Sequence, residues 1–364
     1  MTELIAKPWA AWQQFWFAKV SPLGVSVMRW PMVGMILYTH LIWSFDFDAF
    51  FADHASWQSR EFVTEYQAEQ FAYSFWWYIP ADWMWATHVL SLFLIALFWI
   101  GLATPITGWL CFIIVVSYAN RVPLAMYGLD QVNGIAALYL AIAPCGARLS
   151  ADAWIRGQLQ KFGDSASIIG RIARWVRWVP FWGTDQQSYC QPSQFACLAI
   201  RLFQVHLCFI YLWGGLGKLQ GETWWNGEAV WLTAASLDYQ SNDLTWMIHF
   251  PWIYQLLSVA TWVWEISFSI LVWQWRLRPW VLFFGVSMHF GIGMFLGMWT
   301  FGLAMTFIYL AFVPPATYHR LMFSMTRIAE KYFIEEEPLR STLDVIKSDS
   351  DVDCGGVVVS GGGR

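Results

Sequence analysis

The sequence predicts an all-α fold: a polytopic transmembrane helical bundle of about eight spans with both termini in the cytoplasm. Three observations predict it. Hydrophobic residues make up 58% of the 364 and charged residues 13%, against roughly 25% charged in a soluble domain. Tryptophan occurs 28 times, which suits the two headgroup zones of a membrane protein better than any soluble core. Mostly apolar runs, with spans of roughly 17–25 residues as the template, recur along the chain. The net charge of −4 says little by itself about partners. The lipid bilayer is the first partner expected, with no nucleic acid, and the place is the cell membrane.

Residues 1–20 are rich in Trp and Phe and carry Lys7 and Lys19. They lack the basic start, apolar centre and small-residue cleavage site of a signal peptide, and read as an amphipathic helix lying on the interface. The membrane domain follows over 21–318. Its runs are Gly24 to Trp43, Trp83 to Gly101, Ile106 to Tyr118, Val132 to Pro144, Phe195 to Gly217, Ile253 to Trp273, Trp280 to Trp299 and Thr300 to Val313. The third and fourth are short. No repeat of 20–50 residues and no inverted duplication is visible, which argues against a transporter.

Lys and Arg set the orientation. Loop 146–194 carries Arg148, Arg156, Lys161, Arg171, Arg174 and Arg177; the turn after the sixth run carries Arg276 and Arg278; the tail begins with His319, Arg320, Arg327 and Lys331. By contrast Ser44 to Pro80 is acidic, with Arg60 its one basic residue. All strongly basic loops therefore fall on one side, the cytoplasmic one. Ile168, Ile169, Ile172, Trp175, Val176 and Val179 recur at helical spacing, predicting a basic surface helix within that loop. The outer loop 218–252 is too apolar to extend into water and is expected to fold over the ends of the spans. The tail, 319–364, is expected to be largely disordered from about Glu335. Cys111, Cys197 and Cys208 fall in or beside spans and Cys145, Cys190 and Cys354 in loops, with no CxxC pair. Neither a disulfide framework nor a zinc site is indicated.

Ionisable residues at membrane depth are functional candidates by default. Arg29 and Arg201 lie near the ends of their spans and either snorkel or pair to fix helix packing. Glu265 lies mid-span and needs a partner, with Arg29, Arg201, His206 and His289 available; Arg29, Arg201 and Glu265 thus form a candidate structural charge network. His206 and His289 serve either as interhelical hydrogen bonders or in chemistry. His289 precedes Gly291 and Gly293, a face where a flat ligand could lie. Asp130 either caps the fourth span or meets Lys218, which stands at the same level. Lys218 closes a run containing Gly214 and Gly215 and is followed by Trp224 and Trp225; it is a headgroup anchor or an amine held half out of water. No closely spaced His and Glu pattern suggests a metal.

From about Pro22 to Pro315 the chain resembles a known family. The likeness rests on Leu23-Gly-Val-Ser-Val-Met-Arg29, Pro80-Ala-Asp82-Trp83-Met84, Gly101, Asp130 to Asn133-Gly134, Ala143-Pro-Cys-Gly146, Ser150-Ala-Asp152, Gly215-Leu-Gly-Lys218-Leu, Trp225-Asn-Gly227, Glu265, Arg278-Pro279 and His289. In this order the motifs are similar to the horizontally transferred transmembrane (HTTM) domain, the vitamin K-dependent gamma-carboxylase-like membrane domain. The resemblance implies a quinol-dependent oxygenase of epoxidase or carboxylase type. Lys218 would be the base that deprotonates a reduced quinone of the vitamin K or menaquinol kind, supported by Asp130 and His289. Trp224, Trp225, His206, Gly214, Gly215, Gly291 and Gly293 would shape the quinone site. No metal is implied, and a secreted or membrane peptide would be the acceptor.

Two departures bear on this. The chain has Gly128-Leu129-Asp130-Gln131 where the carboxylase has a supporting asparagine and histidine, and about fifty residues follow Pro315 where the carboxylase has a large soluble domain. Quinol oxidation or another proton abstraction is therefore expected ahead of peptide carboxylation. The rival reading is a non-catalytic membrane partner, a maturation or immunity factor, with a transporter behind it.

Overall fold

A computed structural model describes residues 2–52, 57–162, 182, 189–238, 241–321 and 323–324. Among these the secondary structure is helical, with no strand. The longer helices are α1 (Thr2–Phe17), α2 (Leu23–Trp43), α3 (Met84–Ile100), α4 (Thr104–Arg121), α5 (Gly128–Ile142), α6 (Ala151–Phe162), α7 (Gln194–Lys218), α8 (Pro251–Leu271), α9 (Arg278–Leu296) and α10 (Trp299–Ile308). The basic surface helix expected around Ile168 to Val179 and the tail beyond 324 lie outside the described residues.

Among the described residues three helices are long and apolar enough to cross a membrane: Ala81–Ile100, Gln194–Lys218 and Arg278–Leu296. A fourth is reached if Trp299–Phe312 and Pro315–Leu321, bent by 105°, count as one span. Three of the other long helices fall short for visible reasons. α2 carries Arg29, Pro31 and His40; α4 is diluted by Thr, Gly, Asn and Arg; and α5, at 15 residues, reaches only about 22 Å at 1.5 Å per residue.

Proline at the first or second position opens α4, α8 and α9, where a missing N–H leaves nothing unsatisfied. This is why α8 starts at Pro251, ahead of the apolar run. α2 is the hub, packed against α3, α5, α7 and α10. α7 packs most closely on α8, α4 on α5, and α9 on α10. α1 lies across the start of α7, leaving Trp9 and Trp12 exposed.

Two buried arginines fasten backbone carbonyls. Arg29, fully buried, donates to Trp99 O (3.2 Å), Cys145 O (2.6 Å) and Leu149 O (2.6 Å). Those carbonyls belong to the end of α3 and the turns after α5, where helix ends leave acceptors without partners. Gly101 is held at φ +78°, and a Cβ there would lie 2.7 Å from the Arg29 guanidinium carbon. Asp152 completes the junction, accepting from Ala103 N, Thr104 N and Thr104 Oγ1 at 2.7, 2.9 and 2.8 Å at the start of α4. On the opposite end, Arg121 donates to Gln58 O and Phe51 O at 2.7 and 2.8 Å. Phe47, Phe51, Trp76 and Tyr118 pack there as an aromatic cluster.

Arg29→Leu would leave three carbonyls without a donor. Charge-assisted bonds of this kind contribute about 1.5–3 kcal/mol each in favourable cases. The expected outcome is a loss of about 3 kcal/mol or more and a lower thermal midpoint in detergent, measured by intrinsic fluorescence.

Candidate functional site

The end of α7 and the second half of α8 bring a lysine and a carboxylate into one site. Lys218 Nζ donates to both oxygens of Glu265, at 2.9 and 2.7 Å. The two side chains are 23% and 10% exposed, so the pair is neither free in water nor sealed. Trp224 covers it, with Nζ 5.2 Å from the ring centroid, a cation–π distance.

Glycine makes the pairing possible. A Cβ on Gly215 would lie 2.7 Å from Ile266 Cγ1, 3.1 Å from Ile266 N and 3.2 Å from Glu265 Cβ. α8 therefore approaches α7 at a point where any side chain would push it off, the small-residue contact that membrane helices favour. A Cβ on Gly214 would sit 3.5 Å from Glu265 Oε2 and 3.8 Å from Lys218 Nζ, in ordinary contact. Ser269 Oγ to Cys208 O (2.8 Å) adds a further tie between these helices.

Lys218 is the end of a polar stripe on α7 at seven-residue spacing. Tyr211 Oη lies 2.7 Å from His289 Nε2 and 2.5 Å from Tyr309 Oη. Gln204 Nε2 donates to Ala311 O at 2.7 Å. Seven residues are nearly two turns, so Gln204, Tyr211 and Lys218 share one inward face. Tyr211, Tyr309 and Gln204 were missed as candidates in the sequence, although that spacing within an apolar run was the signal for them.

The other candidate residues are placed as follows. His289 is buried against Tyr211 and Tyr309, and His206 Nδ1 pairs with Tyr139 Oη at 2.8 Å; neither touches Lys218. Asp130 accepts from Tyr127 N at 3.1 Å as a helix cap and lines a different cavity, with His40 and Asn133, so Glu265 rather than Asp130 holds the lysine. The expected network of Arg29, Arg201 and Glu265 does not form. Arg29 binds carbonyls, while Arg201 donates to Phe15 O (3.1 Å) and Gln204 Oε1 (2.8 Å) and lies over the Phe15 ring. A guanidinium presents five donors in a fork, and helix-end carbonyls match it as well as a carboxylate does.

Trp225 donates to Leu219 O at 2.7 Å and packs on Trp262 at 5.6 Å, with 61% of its surface exposed. Gly293 is no bed for a flat ligand: a Cβ there would be 2.7 Å from the Trp299 ring, so the glycine seats the indole at the start of α10. At Gly291 the nearest neighbour, Phe295, is 3.9 Å away. Among the described residues no group of three or more His, Cys, Asp or Glu side chains could hold a metal ion. The five described cysteines are free and buried. Comparison with protein-family models, curated proteins and solved structures finds no match to this chain.

Gly215→Val is expected to part α7 from α8, lowering stability by about 2 kcal/mol through overpacking. Gly217, where a Cβ meets nothing within 4 Å, is the control. Gly217→Ala should hold or raise stability, by up to about 1 kcal/mol from helix propensity. Paired thermal melts in the same detergent check both.

Proposed function

We propose that the chain is a multi-pass protein of the cell membrane that takes a proton from a weakly acidic, membrane-soluble hydroxyl, a reduced quinone being the substrate class. In this reading α2, α3, α4, α5, α7, α8, α9 and α10 are the eight spans, with both termini on the cytoplasmic side, where the Lys- and Arg-rich loops gather. The observation that carries the chemistry is the Lys218–Glu265 pair under Trp224.

A lysine base needs a free lone pair, and here the ammonium is bound by both carboxylate oxygens. The roles therefore divide. Glu265 accepts the proton, and Lys218 stays charged to hold the negative oxygen left behind, an electrostatic task best performed where water is scarce. Trp224 covers one side of the pair, and Trp225, on the same short helix, is exposed. A reduced quinone would supply the hydroxyl and, with dioxygen, the oxidative chemistry that the HTTM-like motifs suggest. Gly293 is no part of that seat, since Trp299 occupies its face.

The rival is a non-catalytic membrane partner in which the pair only fastens α7 to α8, and the close contact at Gly215 favours it. One assay separates them. Purified chain in nanodiscs is given reduced vitamin K or menaquinol and oxygen, and quinone epoxide is sought by mass spectrometry. The proposal expects product from the wild type and loss of on the order of 100-fold or more in both Lys218→Met and Glu265→Gln, within the range of acid–base contributions. A folded wild type that turns over none of several quinols would contradict it and leave the fastener.

A further inference from the structure

A second polar chamber lies between α2, α4 and α5, away from the Lys218 pair in every hydrogen bond it makes. His40, Tyr118, Asp130 and Asn133 line a small cavity, with room for roughly one water molecule. His40 is 3% exposed. Its Nδ1 lies 2.8 Å from Ile36 O. A backbone carbonyl only accepts, so Nδ1 carries the hydrogen and Nε2 carries the lone pair. That Nε2 is buried with no protein partner, an expensive arrangement unless a donor outside the protein completes it.

The surroundings show what the donor could serve. Asp130 stands at the first turn of α5, partly exposed, and lines the same cavity. Asn133 Nδ2 donates to Thr39 Oγ1 at 3.1 Å, which turns its amide toward α2. On the far side Tyr118 Oη is 2.6 Å from His88 Nδ1, and His88 Nε2 is 2.7 Å from Ser44 Oγ. The titratable and charged groups around His40 are therefore His88 on α3, Tyr118 and Arg121 on α4, and Asp130 on α5. Arg121 donates to Gln58 O and Phe51 O, and Asp48 nearby accepts from Trp85.

We propose that this cavity holds one water that joins His40 to Asp130 and makes the two a buried proton shuttle. The water donates a hydrogen to Nε2 and takes one from the protonated carboxyl. One O–H bond on Asp130 is broken and one N–H bond on His40 is formed, with the water restored. No oxidant or further reactant is needed. The shuttle carries protons between the first turn of α5 and the last turn of α2, and it stands independently of the reaction assigned to Lys218 and Glu265.

The test uses the full chain in lipid nanodiscs with ¹⁵N-labelled histidine, the His40 signals being assigned by their loss in His40→Phe. Magnetisation transferred from water should reach His40 Nε2 in the wild type and disappear in Ala119→Leu, which fills the cavity that Ala119 lines. Deuterium exchange at the His40 ring should slow several-fold in Asp130→Asn. Wild-type protein without water contact at Nε2 would overturn the proposal whether or not the variants fold. Equal ring-exchange rates in wild type and folded Asp130→Asn would overturn the shuttle as well.

Discussion

The ion pair between Lys218 and Glu265 is the constraint around which the second half of the bundle is arranged. Two opposite charges in an apolar setting hold together only at close range, and removing one leaves the other stranded at high cost. Contact at 2.7 Å requires the backbones of α7 and α8 to approach closely, and Gly215 sets that approach. The same close packing brings Tyr211 of α7 onto Trp264 and Phe268 of α8, with centroids at 4.8 and 4.6 Å. Tyr211 then reaches α9 through His289 and the turn after α10 through Tyr309. One glycine thus sits upstream of a polar stripe that runs from Lys218 to Gln204.

The first half is organised by a different device. Arg29 and Arg121, both fully buried, collect carbonyls that helix ends and turns leave open. In an apolar medium those acceptors have no water to turn to, and a guanidinium fork supplies several donors from one side chain. Arg29 in this way binds α3 and the two turns after α5 to the hub helix.

Much of the architecture was legible because hydropathy is a strong signal: the apolar run Gly24 to Trp43 became Leu23–Trp43, and Phe195 to Gly217 became Gln194–Lys218. Helix ends were read less well where polar residues belong to the helix. α5 begins at Gly128, not Val132, since Asp130 and Gln131 lie within it. At the site, Lys218, Glu265 and Trp224 were each found by type and depth. Their pairing was not, because it depends on which faces of α7 and α8 meet, and that is decided by a contact between residues far apart in the chain, Gly215 against Ile266. For the same reason Gly293 read as a ligand bed when its neighbour was Trp299, and His40 gave no signal until its second nitrogen was seen to lack a partner.

Exchanging the two charges tests the central claim most directly. Lys218→Glu and Glu265→Lys are made singly and together, and thermal unfolding is followed in lipid nanodiscs. If the pair governs the approach of α7 and α8, each single reversal places like charges together and lowers the midpoint sharply, while the double exchange recovers most of the loss. A double exchange no more stable than the worse single would contradict the account, as would single reversals that leave the midpoint unchanged.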